Sequence, residues 1–397
     1  MSAERITRIQ EAVRAEGLDG WLLYDFHKRD PLAYRVLDLT AEGMTTRRWF
    51  YFIPAQGEPV RIVHPVEKFK LDALPGSKIV YNGWPHLHES LRTTLAGCRR
   101  LAMNYSPMNH IPYVSLVDAG TVELIRSFGP EVVSSANLIQ LFEAVITEEG
   151  YRLHRQAQGK VDAVRRQAFE LIERKMKAGD RLTEYEVQQF ILKRFEEEGI
   201  TCEGDPPIVG INEHPADPHF CPTPENSHAF KKGDCILIDL WARVNRPEGI
   251  YYDITWCGFA GHNPPAKYVE IFDTVVRARK RAVAFIRERF AAGAQIHGWE
   301  VDAACRKVVE DAGYGKFFVH RTGHSIGREV HGNGVNIDNL ETKDERLLLP
   351  GLMFSVEPGI YLEGEMAVRT EIDPFIRPGG EVEVAGEEQE KLVLLDV

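Results

Sequence analysis

The chain has 397 residues, too many for one ordinary core, so we expect two or three domains, or one small and one large. Its hydrophobic content of 44% and charged content of 27% are typical of a soluble globular protein, and no apolar run approaches the ~20 residues that cross a bilayer. The net charge of −11 argues against a nucleic-acid partner, because phosphate binding needs clustered Lys and Arg.

The first part of the chain has the pattern of an α/β domain. Its amino terminus, MSAERITRIQEAVRAEGL, is charged and helix-periodic, so we expect a helix over residues 3–16. This pattern is not that of a signal peptide, and we expect a cytoplasmic protein without a membrane partner. The run GWLLYDF predicts a strand, and RRWFYFIP and EPVRIVHP predict a hairpin around AQG. Three further segments, KIVYN, RRLAMNY and TVELIRSFG, are interpreted as short strands.

A helical region follows. The pattern predicts a long helix from Thr147 to Ala178, and Thr183 with Glu186 forms a capping box for a second helix that ends near Gly199. The next stretch, GDPPIVGINEHPADPHFCPTPENSHAF, is rich in Pro, Asn and His and must be mostly loop.

The last 250 residues contain an internal repeat. Gly233, Asp239 and Asp253 recur as Gly351, Glu357 and Glu371, each displaced by 118 residues, and the helical segments AGDRLTEYEV and AGAQIHGWEV match at an offset of 114. Each half alone leaves an apolar face open. We therefore expect the two halves to pack together around a pseudo-two-fold axis.

The four acids of this repeat lie in apolar strand-like segments, where a bare buried carboxylate costs several kcal/mol or takes up a proton. Pairing with Arg or Lys is the simpler explanation for one acid. For four in register the nearby cations are too few, since Arg243, Arg246 and Arg369 are the only ones between the paired acids. Divalent cations meet the need better, because oxygen-rich sites suit Mn²⁺, Co²⁺, Mg²⁺ or Fe²⁺.

A nitrogen ligand is available between the two acid pairs. The segment HRTGHSIGREVHGNG offers His320, His324 and His331, and small residues flank His324 so that a metal and a substrate can approach the backbone. Bridging carboxylates that hold two cations ~3.5–4 Å apart lower the pKa of a shared water and stabilise the oxyanion of an attacked carbonyl. Amide hydrolysis needs both effects.

The motifs DLW…YYDITW, RTGHSIG, SVEPGIY and AVRTEID resemble the five-ligand signature of the pita-bread metallopeptidases, which include methionine aminopeptidase, aminopeptidase P and prolidase. The segment before these motifs is similar to the amino-terminal domain of creatinase, prolidase and aminopeptidase P. The resemblance implies an α/β domain over residues 1–146, followed by an α+β pita-bread catalytic domain over residues 147–397.

The resemblance also implies roles for the residues of the motifs. Asp253 and Glu371 are expected to bridge two metal ions, with Asp239 on one ion and His324 and Glu357 on the other. Glu357 is further expected to carry a proton from water to the leaving nitrogen. Substrate-side and supporting roles are implied for His219, with His228 as its rival, for His331 and for Arg369.

The expected function is cleavage of the peptide bond before proline in small peptides by a metal-bridged hydroxide, as in an Xaa-Pro aminopeptidase. Two divalent ions are expected, with Mn²⁺ ahead of Co²⁺, Zn²⁺ or Fe²⁺, and the family implies a homodimer. The alternatives are an Xaa-Pro dipeptidase, a lyase-like metal enzyme and a creatinase-like hydrolase. A non-catalytic binding module would show eroded ligands and acidic tails, and the sequence shows neither.

Three departures from the family concern the substrate. Trp241 stands where relatives have a small residue, and the connection over residues 241–249 is longer than usual. Where prolidase-like dipeptidases carry an arginine for the substrate carboxylate, the sequence has Lys343, with Arg346 close by. Lysine cannot reproduce the bidentate contact of arginine.

Overall fold

The computed structural model of the chain describes residues 3–41 and 43–397. The chain divides into two units, Met1–Glu143 and Ala144–Val397. None of the helices in the described residues combines the length and the apolar composition that crossing a membrane requires.

The first unit is a six-stranded sheet with helices, in the strand order β4-β3-β2-β1-β5-β6. β1 is antiparallel to β2 and parallel to β5, so the sheet is mixed. Its strands are β1 Gly20–Asp25, β2 Trp49–Pro54, β3 Val60–Val63, β4 Ser77–Val80, β5 Arg100–Met103 and β6 Glu131–Ser134. Its helices are α1 Ala3–Ala15, α2 Pro31–Val36, α3 Trp84–Thr94, α4 Ala119–Arg126 and α5 Ala136–Glu143, with 3₁₀ turns at Pro65–Glu67, Pro107–Asn109 and Pro112–Val114.

The buried strand β1 explains why helices cover both faces of this sheet. Successive side chains of a strand point to opposite faces. Trp21 and Leu23 pack in one apolar cluster, and Leu22 and Tyr24 pack in another. An α/β unit is therefore confirmed, with helices that the sequence patterns did not indicate at α2, α3 and α5.

The prediction of a strand at TVELIRSFG is wrong, because this segment lies in helix α4. The side chain of Asp118 caps the helix by accepting the N–H of Thr121, at 2.9 Å. Val122 and Ile125, three residues apart, are both buried. Spacing and cap together favour a helix here over the β-propensity of the individual residues.

The second unit contains four long helices, α6 Glu148–Lys177, α7 Glu184–Glu198, α8 Ala266–Ala291 and α9 Gly298–Asp311. Two predicted helices are confirmed: Thr147 caps α6, and α7 begins with the capping box of Thr183 and Glu186 and ends at Gly199. The strands are β7 Ile200–Thr201, β8 Ile208–Ile211, β9 Cys235–Val244, β10 Tyr252–Phe259, β11 Ser325–Ile326, β12 Met353–Phe354, β13 Gly359–Leu362, β14 Met366–Arg369, β15 Pro374–Ile376, β16 Val382–Val384 and β17 Val393–Leu394, with 3₁₀ turns at His214–Ala216 and Gly315–Phe317.

These strands form three sheets: β17-β10-β9-β7 with β8 on β9, β11-β12-β15-β16, and the hairpin β13-β14. The repeat seen in the sequence recurs in their hydrogen bonds. The N–H of Phe230 donates to the carbonyl of Leu182, and Leu348 donates in the same way to Ile296. Likewise the pairing of β8 with β9 corresponds to the pairing of β11 with β12. Equivalent positions of the two halves therefore make equivalent contacts.

Candidate active site

The β9–β10 hairpin places the first two acids on one face of its sheet. Asp239 lies opposite Thr255, and Asp253 lies opposite Trp241. Directly opposed residues, and residues two apart on a strand, point to the same side. Both carboxylates are buried, at 6% and 4% exposure. The apolar residues that alternate with them pack in the cores, which is why this polar face can be held inside the unit.

The β13–β14 hairpin brings the second pair to the same place. Its register pairs Gly359 with Arg369, and the bridge between residues 356 and 372 continues that register, so Glu357 and Glu371 face each other beyond the hairpin. Glu371 joins the two hairpins, because its Oε2 accepts a hydrogen bond from the hydroxyl of Thr255, at 2.8 Å. Its backbone N–H also donates to the Thr255 carbonyl.

His324 completes the cluster. It immediately precedes β11, and its backbone N–H donates to the hydroxyl of Ser355 at 2.9 Å. Its Nε2 lies 3.7 Å from an oxygen of Asp253 and 3.5 Å from an oxygen of Glu357. One ligand-type atom from each of Asp253, His324 and Glu371 lies within 4.8 Å of the others. Four of the five predicted ligands, Asp253, His324, Glu357 and Glu371, thus lie close together.

The fifth, Asp239, is held by Arg369. The Arg369 guanidinium donates to Oδ2 of Asp239, to the hydroxyl of Tyr361 at 2.7 Å and to the hydroxyl of Thr255 at 3.1 Å. It also lies 3.8 Å from Glu357. Arg369 is therefore the buried cation of the cluster, and it fixes the orientation of Asp239.

Burial and mutual repulsion dominate the electrostatics. Desolvation, reinforced by the neighbouring carboxylates, raises the pKa of Asp253 and of Glu371 well above their usual range. Burial raises the pKa of Glu357 to about 7, against the opposing charge of Arg369. Burial also lowers the pKa of His324 well below its usual value. Burial and mutual repulsion therefore favour the protonated forms of these acids in the protein alone.

Divalent cations fit this set of donors. Oδ1 of Asp239 and Oδ1 of Asp253 are buried without a hydrogen-bond partner among the described residues. Such orphaned oxygens are costly unless another group satisfies them. Four carboxyl groups face the single buried guanidinium of Arg369. Oxygen ligands with one imidazole are a donor set for two divalent ions.

The predicted substrate-side histidines lie in different surroundings. The His331 ring contacts the His324 ring edge-on, with the centroids 4.3 Å apart, and its side chain is exposed. His219 is also exposed. Although the His331 residue retains exposed surface, partial burial of its ring, followed by the charges of Arg321 and His219, lowers its pKa to about 4. His228 instead packs against the ring of His214 in a tilted arrangement, with the centroids 4.0 Å apart. His219 thus acts electrostatically on His331, whereas the contacts of His228 are with His214 and Glu213.

Trp241 shares the ligand face with the acids. Its side chain is 8% exposed, and its indole N–H has no partner among the described residues. The connection that follows is a turn in which the N–H of Gly249 donates to the Arg246 carbonyl. Arg243, two residues beyond Trp241, donates to Glu203. By register, Trp241 thus lies beside Asp239 and opposite Asp253 on that face.

The residues suggested as a carboxylate anchor are engaged elsewhere. Arg346 is buried at 1% exposure and donates to Asp344 and to the Asn333 carbonyl. Lys343 forms an ion pair with Glu345, at 2.9 Å. A different cation acts on the cluster. Burial, the largest effect, raises the pKa of Glu357 and lowers that of His324, and the charge of Arg321 makes a smaller contribution that lowers both.

Sequence patterns missed four contributors to the site. They are Thr255, Tyr361, Arg321 and Asp373. The carboxylate of Asp373 accepts the N–H of Asp253 at 2.8 Å, and burial raises its pKa well above the usual range. The signal for Asp373 in the sequence is an acid two residues after Glu371, in the apolar segment IDPFI that leads into β15.

Comparison with known proteins identifies the class. Residues 152–378 match the sequence profile described as Metallopeptidase family M24, which is more than half of the chain. The chain belongs to this metallopeptidase family. Among its relatives, the Xaa-Pro dipeptidase of Pyrococcus furiosus is 32% identical over 163 residues, or 41% of this chain and 43% of that protein. The chain spans about half the length of the curated relatives it matches.

Solved structures share the fold along nearly the whole chain. A dipeptidase PepE from Mycobacterium ulcerans superposes with a TM-score of 0.67 at 22% identity, covering 100% of this chain and 98% of that chain. A second structure is an X-prolyl aminopeptidase from Caenorhabditis elegans, described as a cytosolic enzyme with a di-nuclear active site. It superposes with a TM-score of 0.61 at 16% identity, covering 97% of this chain and 61% of that chain. These likenesses concern the fold, and they confirm the predicted α/β unit followed by a pita-bread unit.

Proposed function

We propose that this protein is a dinuclear metal-dependent hydrolase that cleaves the peptide bond before proline in small peptides, as an Xaa-Pro aminopeptidase does. The observation that carries the proposal is the group of Asp253, His324 and Glu371, whose ligand-type atoms lie within 4.8 Å of one another beside orphaned carboxylate oxygens. Membership of a metallopeptidase family supports it.

The metal ligands in this proposal are Asp239, Asp253, His324, Glu357 and Glu371. When bound, two divalent ions would activate a water molecule and neutralise charge on the attacked carbonyl oxygen. Mn²⁺ is the proposed metal, and we also propose a cytoplasmic homodimer with an amino-terminal domain over residues 1–146 and a catalytic domain over residues 147–397. The resemblance of the sequence to its family supports these choices.

The side chains around the ligands have separate tasks. Arg369, tied to Tyr361 and Thr255, keeps one oxygen of Asp239 occupied and leaves the other available. Glu357 takes up a proton from the attacking water and passes it to the leaving nitrogen, a role that the resemblance of its motif SVEPGIY to the family supports. His331 and His219 contact the substrate from the exposed side.

The test is a peptide panel on Mn²⁺-loaded protein. We expect hydrolysis of Ala-Pro-Ala and not of Ala-Ala-Ala, together with about two ions per chain by metal analysis. Asp253→Asn should lose the ions and the activity, whereas Asp273→Asn, an exposed acid on α8 of the same unit, should behave as wild type. The proposal is wrong if the loaded protein leaves every proline-containing peptide intact.

A second candidate, an Xaa-Pro dipeptidase, is favoured by Arg321. A dipeptidase needs a cation for the substrate carboxylate. Arg346 and Lys343 each form an ion pair with an acid. Arg321 is proposed for this contact because its charge acts on Glu357 and His324 of the candidate site. Cleavage of Ala-Pro in preference to Ala-Pro-Ala, with a rise in KM for Ala-Pro in Arg321→Lys, would support the dipeptidase. The reverse preference supports the aminopeptidase.

A further inference from the structure

A second group of metal-ligand side chains lies in the loop between β8 and β9. Glu213, His214 and His228 each offer one ligand-type atom within 4.8 Å of the others. The group shares no residue with Asp253, His324 and Glu371. Of its members only His228 was singled out by the sequence, as the rival of His219 for a substrate-side role. Two imidazoles and one carboxylate are a common ligand set for a zinc-class ion.

A buried glutamate orients one of these histidines. Glu184, at 0% exposure, has both carboxylate oxygens 2.9 Å from Nδ1 of His214. The same carboxylate accepts the backbone N–H groups of Ile211 and His228, each at 2.7 Å. Because Nδ1 is engaged, Nε2 of His214 is left for another partner. A histidine that donates to a carboxylate in this way is the usual arrangement behind a bound metal.

Ring packing holds His214 in place while its neighbours can still move. Its ring stacks against Phe220, with the centroids 4.3 Å apart, and also packs against the tilted ring of His228 at 4.0 Å. The side chains of His228 and Glu213 are 51% and 43% exposed, and Nδ1 of His228 lies 3.6 Å from Glu213. These two can therefore turn toward an ion without disturbing the core.

We propose that Glu213, His214 and His228 bind one transition-metal ion of the zinc class, separate from the dinuclear centre. Imidazole ligands suit Zn²⁺, Cu²⁺ and Ni²⁺, whereas the oxygen-rich centre suits Mn²⁺. The two sites therefore differ in metal preference. The inference does not depend on the proposed peptidase activity.

The ion would join the two ends of one loop. Glu213 and His214 stand at its start and His228 at its end, and His219 lies between them. Apart from the 3₁₀ turn His214–Ala216, the described residues 212–228 contain no helix or strand. Because an ion that binds only the folded loop stabilises it, zinc should order the segment that carries His219.

The experiment compares the zinc content and the loop accessibility of four full-length proteins. Wild type, Glu213→Gln, His228→Gln and the control His262→Gln, an exposed histidine outside the group, are dialysed against micromolar Zn²⁺ in the presence of Mn²⁺. We expect wild type and the control to hold one zinc equivalent more than the other two. His228→Gln keeps the backbone N–H that holds Glu184, so the fold is retained.

Limited proteolysis provides the second measurement. Zinc should slow cleavage within residues 213–228 in wild type and in the control, and it should have no effect in Glu213→Gln and His228→Gln. Equal zinc content in all four proteins, or equal protection of the loop, would overturn the proposal. Zinc that disappears in the control variant as well would identify adventitious surface binding and would also overturn it.

Discussion

Arg369 donates a hydrogen bond to Oδ2 of Asp239, while Oδ1 of the same carboxylate is buried without a partner among the described residues. The guanidinium is itself fixed by the hydroxyls of Tyr361 and Thr255. One oxygen of Asp239 is thus committed to the protein, and the other is left for a ligand. The arrangement makes Arg369 a residue that positions a metal ligand.

Arg369→Lys should weaken metal binding and catalysis together. A lysine ammonium cannot reach Asp239, Tyr361 and Thr255 at once, so Asp239 would lose its fixed orientation. We expect metal affinity and kcat to fall by roughly 10–100-fold. Metal titration and peptide assays measure both. Arg377→Lys, which alters an ion pair with Glu383 in the same unit, is the control, and unchanged affinity in Arg369→Lys would contradict the assignment.

Sequence reasoning found those parts of the site that local patterns encode. Thr183 and Glu186 predict a cap from a spacing of three residues, and Asp239 is conspicuous in an apolar strand. Thr255, Tyr361 and Asp373 escaped notice because their roles come from contacts across the fold. Thr255 and Glu371, for example, are 116 residues apart. The prediction of a strand at α4 is wrong because Val122 and Ile125 favour strands individually. The Asp118 cap and the three-residue spacing of the buried residues favour the helix.

Trp241→Ala should widen the site and destabilise the protein. Truncating a tryptophan that is 8% exposed leaves a cavity, and we expect the free energy of unfolding to fall by about 3–5 kcal/mol. Because Trp241 lies opposite Asp253, the ratio of kcat/KM for Phe-Pro-Ala over Ala-Pro-Ala should rise. Trp241→Phe keeps an aromatic six-membered ring and removes the unpartnered N–H, so it should lose less stability than Trp241→Ala. The same ratio in all three proteins would exclude a role in specificity.

Removing metal should destabilise the second unit. Without cations the carboxylates of Asp253 and Glu371 are buried beside each other, and burial and repulsion raise the pKa of both. We expect chelation to lower the free energy of unfolding, and Mn²⁺ at a hundredfold excess over its Kd to restore about 2.7 kcal/mol. Denaturant titrations measure the change. Asp253→Asn should not respond to Mn²⁺, and a wild-type protein that does not respond either would show that the cluster binds no metal.

His154 should make the protein sensitive to acid. It is fully buried in α6, its Nδ1 lies 2.7 Å from the Tyr251 carbonyl, and its Nε2 has no partner among the described residues. Burial lowers its pKa to about 4, whereas an unfolded histidine titrates near 6.5. Between these two pH values the unfolded chain binds more protons than the folded one. The contribution of His154 to the free energy of unfolding is therefore fully present above about pH 6.5 and falls as the pH drops toward 4.

Protonation of this one residue should lower the free energy of unfolding by about 3 kcal/mol, because each unit of pKa difference corresponds to about 1.4 kcal/mol. In His154→Asn, the side-chain amide nitrogen can replace Nδ1 as the donor to the Tyr251 carbonyl. The amide cannot take up a proton. Denaturant titrations at pH 7 and pH 4.5, in the presence of a chelator, should show a smaller acid-induced loss in His154→Asn than in wild type. The exposed His262, changed to Asn, should follow wild type. Equal losses in all three proteins would show that His154 is not the group that senses acid.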